Sequence, residues 1–186
     1  MTLAKREDLK ELRDLKEKVV AASQPNSFDG WLVAQHEIFK NGLDPENFFK
    51  SSVFTHFQFP DSLMLLIQGE ADVAILSACV LEQLSNEGLI EASDFKVLAQ
   101  KPQGVLRCAR STDLYPGIVF AAREDIPPKL KWEVTSALMS MPPTNDYEWT
   151  IASRFSKVDE LYRDLVGKRL TASSNPQFFV LAAHCR

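Results

Sequence analysis

The amino-acid sequence predicts an α/β domain built on a mainly parallel β-sheet. Up to Leu98, short apolar runs alternate with segments whose apolar residues recur at helical spacing, which is typical of strands joined by crossover helices. The composition, with 45% hydrophobic and 25% charged residues in a chain of 186, is that of an ordinary globular domain. A chain of this length buries enough surface on folding to need no disulfide or metal support.

The first half of the chain is predicted to contain four strands separated by helices. A charged helix with a leucine stripe is expected first, over residues 5–18. Glycines stop the later helices, as at Asn41-Gly42 and at Gly69. The strands are expected at 19–22, 53–55, 72–76 and 95–98, and the helices between them at 31–40, 63–68 and 78–86.

After Leu98 the regular alternation is lost. Residues 99–117 hold two glycines and two prolines and are interpreted as a crossing segment. A strand is expected at 118–122, followed by helices at 127–141 and 157–166 and by a tail that is first polar and then apolar. The three tryptophans are interpreted as core residues rather than as a stacking platform; they are Trp31, Trp132 and Trp149.

Charge and motif content exclude several classes of protein. A formal net charge of −4 and a pI near 5.4 argue against a nucleic-acid-binding protein, which would carry a basic stripe. No window approaches the apolar length of a membrane span. The sequence contains no glycine-rich nucleotide-binding motif, no serine-hydrolase motif and no recognisable nucleophile–base set. We therefore predict a protein that is not an enzyme and that carries no cofactor and no metal.

Two strand-to-helix junctions are candidate ligand sites, because ligands of open α/β sheets bind beyond the carboxyl ends of the strands. At the first junction, the hydroxyls of Ser23 and Ser27 and the following backbone N–H groups are suited to hold an anion. Asp29 stands at the helix start, where a carboxylate takes the place of a bound anion. The alternative is simple capping of the helix by Ser27 or Asp29.

The second junction is Leu76-Ser77-Ala78-Cys79, where the third strand is expected to lead into a helix. Ser77 would lie at the same sheet edge as the first junction. The alternative is that Ser77 caps the helix and that Cys79 is a buried thiol.

Four segments of the chain resemble a known family in order and spacing. They are residues 12–31, which end in Asn-Ser-Phe-Asp-Gly-Trp; 69–82, which begin Gly-Glu-Ala-Asp-Val-Ala; 111–116, Ser-Thr-Asp-Leu-Tyr-Pro; and Trp-Thr-Ile at 149–151 with Val-Asp-Glu-Leu-Tyr-Arg-Asp-Leu at 158–165. Together they resemble the phosphate/phosphonate-type periplasmic substrate-binding domains. The resemblance is closest to the sensor version found in histidine kinases, such as tetrathionate sensors.

The resemblance implies a periplasmic-binding-protein type II-like fold, in which two α/β lobes hold a ligand between them. On this mapping residues 1–110 form the second lobe with its mostly parallel sheet. Residues 111–170 cross back and supply helices to a first lobe that is incomplete, and residues 171–186 form a tail. The missing half of the first lobe would have followed a signal peptide, which is not present in this chain.

The function implied is that of a solute-binding or sensory module in the periplasm. It would hold a small polar or anionic solute and signal to a histidine kinase or an ABC transporter. The alternative is a truncated structural or interaction fragment that has lost ligand binding. Nucleic acid is not expected as a partner.

The resemblance also implies a set of ligand-binding positions. They are Ser23, Ser27, Phe28, Asp29, Ser77, Ala78, Arg110, Ser111 and Thr112. The chain departs from the family pattern at several of them. Phe28 and Asp29 bring no hydroxyls, Ser77 stands where arginine is common, and Arg110 stands where histidine is common. These departures favour a small polar or zwitterionic solute over a doubly charged phosphonate.

The family mapping places Cys79 and Cys108 near the same cleft. We expect their Cα atoms to lie within bridging range, below about 7 Å, and a disulfide between them if the protein is exported. The alternative is two buried free thiols.

A homo-oligomer is also expected. If the first lobe is incomplete, the helix that carries Trp132, Leu138 and Met141 lacks its partner sheet. An apolar face of this kind marks an interaction surface, which a second copy of the chain would cover.

Overall fold

A computed structural model of the chain describes residues 1–56, 58–102, 108–116, 119–142, 147–151, 155–167 and 180–185. The chain divides into two compact units, Met1–Asp113 and Leu114–Arg186. The division lies next to the boundary expected at residues 110 and 111. Parts of the expected crossing segment, at 103–107 and 117, and of the expected tail, at 171–179 and 186, lie outside the described residues.

The first unit is built on the predicted parallel sheet. Strand β2 (Val19–Ala22) lies in the centre and pairs in parallel with β3 (Ser51–Phe54) on one side and β4 (Val73–Ala74) on the other. Helix α1 (Val33–Lys40) and helix α2 (Phe59–Gln68) are the crossovers that connect these strands. The predicted α/β class with a parallel sheet is confirmed.

Helices on both faces of this sheet make a three-layer core. Side chains of β2 alternate between the faces, because successive residues of a strand point in opposite directions. Val20 and Ala22 contribute to a cluster with Trp31 and Ile38, on the side of α1. Ala21 faces the other cluster, which contains residues of α2 and of α3 (Val80–Asn86). Trp31 is 8% exposed, so its predicted core position is confirmed.

The N-terminus adds a strand that the sequence analysis missed. Strand β1 (Thr2–Leu3) pairs antiparallel with β5 (Phe95–Lys96). Met1 also exchanges two hydrogen bonds with Ala74 of β4, with N···O distances of 2.7 and 2.9 Å. The strand expected at 95–98 is therefore shorter than predicted and is bonded to β1 rather than directly to the parallel strands. Two-residue strands carry no periodic signal, so only the pairing reveals them.

The prediction of a helix over residues 5–18 is wrong. A single 3-10 turn at Leu12–Leu15 is all the helix the structure has there. The backbone N–H groups of Lys10 and Glu11 donate to the Asp14 carboxylate at 2.8 and 2.9 Å, which holds a turn in place of a continuous helix. Leu15 is still buried, so the leucine stripe reflects insertion into the core and not helical structure.

The amino edge of the sheet is held by Asp72. Its carboxylate accepts a hydrogen bond from Arg6 Nη1 at 2.6 Å and another from the Val19 backbone N–H at 3.0 Å. Its backbone carbonyl accepts from Thr2 Oγ1 at 2.7 Å. Asp72 thus joins the starts of β2 and β4 to the N-terminal strand.

The second unit contains a sheet of opposite character. Strand β8 (Val180–Cys185) lies between β6 (Val119–Ala121) and β7 (Tyr147–Ile151), and both pairings are antiparallel. Two helices complete the described part, α4 (Pro128–Met139) and α5 (Ser156–Val166). The strand expected at 118–122 corresponds to β6, whereas β7 and β8 were not predicted.

The tryptophans of this unit do not form the predicted core. Trp132 on α4 is 70% exposed, and Trp149 is a half-buried residue of β7. The interpretation of Trp132 as a core residue is therefore wrong. Among the described residues, no helix is both long and apolar enough to cross a membrane.

Candidate functional site

The two predicted junctions meet at the carboxyl edge of the parallel sheet. The loop 23–30 follows β2 and the turn 77–79 follows β4, so both leave the same edge of neighbouring strands. Ser77 Oγ donates a hydrogen bond to Asp29 Oδ2, a contact between residues 48 positions apart in the chain. We call the four side chains at this edge the Asp29 cluster; they are Ser23, Ser27, Asp29 and Ser77.

Ser27 has two roles in the cluster. Its hydroxyl accepts a hydrogen bond from the Gly30 backbone N–H at 3.1 Å and so caps the helical turn Phe28–Leu32 that leads into α1. The same hydroxyl donates to Asp29 Oδ1 at 3.1 Å. Capping and contact with Asp29 are therefore not exclusive alternatives.

Ser23 lies beneath this loop with a hydroxyl that has no hydrogen-bond partner among the described residues. The residue is fully buried. A β-carbon built on Gly30 would lie 1.8 Å from Ser23 Oγ and 2.9 Å from Ser27 Oγ. Both hydroxyls therefore face the bare Cα of Gly30, and only glycine allows the loop to close on them.

Asp29 is the exposed member of the cluster. It accepts the hydroxyl hydrogen bonds of both Ser27 and Ser77, whereas Ser23 and Ser27 are buried. Within the described part of the chain, no lysine or arginine lies at ion-pair distance from this carboxylate. A solute at this surface would meet the Asp29 carboxylate, which already accepts hydrogen bonds from two hydroxyls.

The turn that carries Ser77 is tied to the crossing segment by a disulfide. Cys79 and Cys108 are bonded, with their Cα atoms 5.1 Å apart, inside the range that the sequence analysis set. Cys79 stands at the start of α3 in a left-handed conformation, with φ of 71°. Cys79 and not Ser77 is the N-cap residue of α3, and no side chain among the described residues caps this helix, so the capping alternative for Ser77 is wrong.

The other polar candidates are Arg110, Ser111 and Thr112. They lie in the same unit, but their side chains donate hydrogen bonds to backbone carbonyls outside the Asp29 cluster. Arg110 donates from Nη1 to the Thr112 carbonyl at 2.7 Å and from Nη2 to the Pro102 carbonyl at 3.1 Å. Ser111 Oγ donates to the Leu98 carbonyl at 2.6 Å, and Thr112 Oγ1 to the Asp113 carbonyl at 3.2 Å. Among the described residues, no hydrogen bond joins these three side chains to the Asp29 cluster. Phe28 is half-buried in the helical turn, and Ala78 is exposed.

A buried carboxylate on α1 was missed by the sequence analysis. Glu37 is 6% exposed and accepts from Lys101 Nζ at 2.6 Å and from Lys40 Nζ at 2.9 Å. Lys40 also reaches Asp113 at 3.2 Å. Partial burial lowers the pKa of Lys40, but its hydrogen bonds to Glu37 and Asp113 outweigh burial and raise that pKa above its ordinary value. The spacing of Glu37 and Lys40 on one helix was the available signal.

Metal binding has no support in the described residues. They contain no group of three or more histidine, cysteine, aspartate or glutamate side chains placed to hold an ion.

Comparison with known proteins identifies the family. The sequence model of the phosphonate periplasmic substrate-binding proteins of ABC transporters matches residues 1–161. The chain belongs to this family. The resemblance stated from the sequence is confirmed, and the parallel sheet agrees with the type II-like binding fold that it implied.

The chain is also similar to a curated sensor protein. The tetrathionate sensor histidine kinase of Salmonella typhimurium is 34% identical to this chain over 152 residues, which are 82% of the chain and 25% of the relative. The chain thus spans about a quarter of that protein's length. Family membership classes the chain with substrate-binding domains.

Proposed function

We propose that this chain is a periplasmic solute-binding module that senses a small polar or anionic solute for a histidine kinase. The solute binds at the Asp29 cluster, at the carboxyl edge of the parallel sheet. The observation that carries this proposal is the hydrogen bond between Ser77 and Asp29, which joins two strand-end loops in a protein of the substrate-binding family.

Two further observations support the partner and the compartment. The relative described above is a sensor histidine kinase that covers most of this chain, which favours a kinase over a transporter as the recipient of the signal. The disulfide between Cys79 and Cys108 fits an oxidising compartment such as the periplasm. Transmission requires that the solute bind one conformation of the module more tightly than another, because only differential affinity shifts an equilibrium.

Calorimetric titration of the chain tests the proposal. The probes are tetrathionate, thiosulfate, phosphate, methylphosphonate and a set of amino acids, with thermal melting as a second readout. A probe present at one hundred times its dissociation constant is expected to stabilise the chain by about 2.7 kcal/mol.

Two serine variants assign the site. Ser77→Ala is expected to weaken binding, because it removes one of the two hydroxyls that hold the Asp29 carboxylate in place. Ser93→Ala is the matched control. Ser93 is an exposed residue of the 3-10 turn Ala92–Asp94, just before β5, and belongs to neither of the two junction loops. If no probe binds, the chain is a structural fragment and the proposal is wrong. If Ser77→Ala changes the dissociation constant no more than Ser93→Ala does, the site lies elsewhere.

A further inference from the structure

We propose that Asp29 determines the class of solute that the site accepts. Its carboxylate excludes dianionic oxyanions and selects a solute that brings a hydrogen-bond donor or a positive charge. This inference rests on the proposed function and names the chemistry of its ligand.

The layering of the cluster is the first argument. Ser23 and Ser27 are 0% and 5% exposed, whereas Asp29 lies on the surface. A solute that approaches this edge meets the carboxylate before it meets the hydroxyls beneath. The hydroxyl donors of Ser27 and Ser77 already point at Asp29, so an anion must displace that carboxylate in order to use them.

The acceptor capacity of Asp29 is the second argument. An ionised carboxylate offers about four lone-pair sites, and two hydroxyl hydrogen bonds leave about half of them open. A donor group on the solute would add to these bonds without breaking either of them. In the described part of the chain no lysine or arginine pairs with Asp29, so its open lone-pair sites remain available to an ammonium or N–H group.

The buried hydroxyl of Ser23 is the third and independent argument. Folded proteins leave few buried polar groups without a partner, and such a group costs about 1–3 kcal/mol. Ser23 Oγ has none among the described residues and points at Gly30, the residue next to Asp29. An unpaired hydroxyl directly beneath the loop supports a role for the loop beyond helix capping.

The charge-neutral variant Asp29→Asn tests the proposal on the full chain. Thiosulfate is the dianionic probe, and titration calorimetry measures its dissociation constant. Asparagine keeps the size of the side chain and removes the charge, so thiosulfate affinity is expected to rise on the order of tenfold or more. Loss of stability cannot produce a gain of affinity, so a purely structural role for Asp29 predicts no such rise.

Two further variants separate charge from geometry. Ser77→Ala breaks the contact with Asp29 but keeps the charge, and it is expected to admit no more thiosulfate than the wild type. Glu70→Gln removes one negative charge at the opposite edge of the sheet, where Glu70 is exposed, and should leave thiosulfate affinity unchanged.

The outcomes distinguish the inference from the proposed function. If the wild type binds a probe and Asp29→Asn does not gain thiosulfate affinity, the inference is wrong and the proposed function stands. If Glu70→Gln gains as much as Asp29→Asn, the effect is one of net charge and the inference is also wrong. If neither the wild type nor Asp29→Asn binds any of the probes, the proposed function fails and the inference fails with it.

Discussion

Removal of the Cys79–Cys108 disulfide should cost a large part of the stability of the first unit. The bridge joins residues separated by 29 positions and so closes a loop of moderate length. Closing such a loop raises the free energy of the unfolded chain by about 3.6 kcal/mol at 25 °C through lost conformational entropy. Without the bridge the unfolded chain recovers this entropy, and the folded state is less stable by the same amount. Small domains have total stabilities of about 5–15 kcal/mol, so the loss should be easily measured.

The assay is urea unfolding of the double variant Cys79→Ser, Cys108→Ser against the wild type. Both proteins carry Cys185→Ser, which removes the third cysteine, and phenylalanine at the two tryptophans beyond residue 113. Trp31, which lies in the core of the first unit, is then the fluorescent reporter of that unit alone.

A loss of about 3–4 kcal/mol in unfolding free energy is expected, with the slope against urea larger in the variant because its unfolded state is more expanded. Reduction of the wild-type protein should give the same loss. A change below about 1 kcal/mol in both experiments would show that the bridge does not restrain the unfolded chain.

Three other expectations follow from described contacts. Partial burial raises the pKa of Asp72, but hydrogen bonds from Arg6 and the Val19 N–H outweigh burial and lower that pKa. Asp72→Asn should therefore lower the unfolding free energy by about 1–2 kcal/mol at pH 7. The difference from the wild type should shrink as the pH falls below about 4, where Asp72 becomes protonated. Urea titrations at several pH values check this, and an equal loss in Glu70→Gln would contradict it. Gly30→Ala should lower the melting temperature, because its β-carbon meets Ser23 Oγ, and Ser23→Ala in that background should restore part of the loss; no change on either substitution would refute the close approach. The exposed apolar side chains of α4 should make the chain associate through Trp132, so light scattering should report a dimer or larger that Trp132→Glu dissociates, whereas a monomer of 21.0 kDa would refute it.

The first unit shows how far a local pattern reaches. The predicted strand at 19–22 has the bounds of β2, and the helices predicted at 31–40 and 63–68 correspond to α1 and α2. These predictions succeed because strand and helix periods are properties of consecutive residues, and buried faces repeat at those periods. The leucine stripe at 5–18 misled the same reasoning. The Asp14 carboxylate accepts hydrogen bonds from the Lys10 and Glu11 backbone N–H groups and so holds a turn, while Leu9 and Leu15 are still buried in the core.

The approach of the two junctions was also open to prediction. Parallel strands that are neighbours in a sheet end at one edge, so loop 23–30 and turn 77–79 had to be close once β2 and β4 were recognised. The family resemblance added the position of the disulfide partners, which neither periodicity nor composition indicates.

The sequence by itself determined the α/β class, the position of the central strands and the edge at which the candidate site lies. Only the tertiary structure decided which acceptor each hydroxyl uses: Ser77 bonds to Asp29 rather than capping its own helix, and Ser23 is left unpaired. It also decided the pairing of β1 with β5 and the exposure of Trp132. The physical reason is that hydrogen bonds and burial depend on distances in space, and residues 48 or 73 positions apart meet without any trace in the local pattern of the chain.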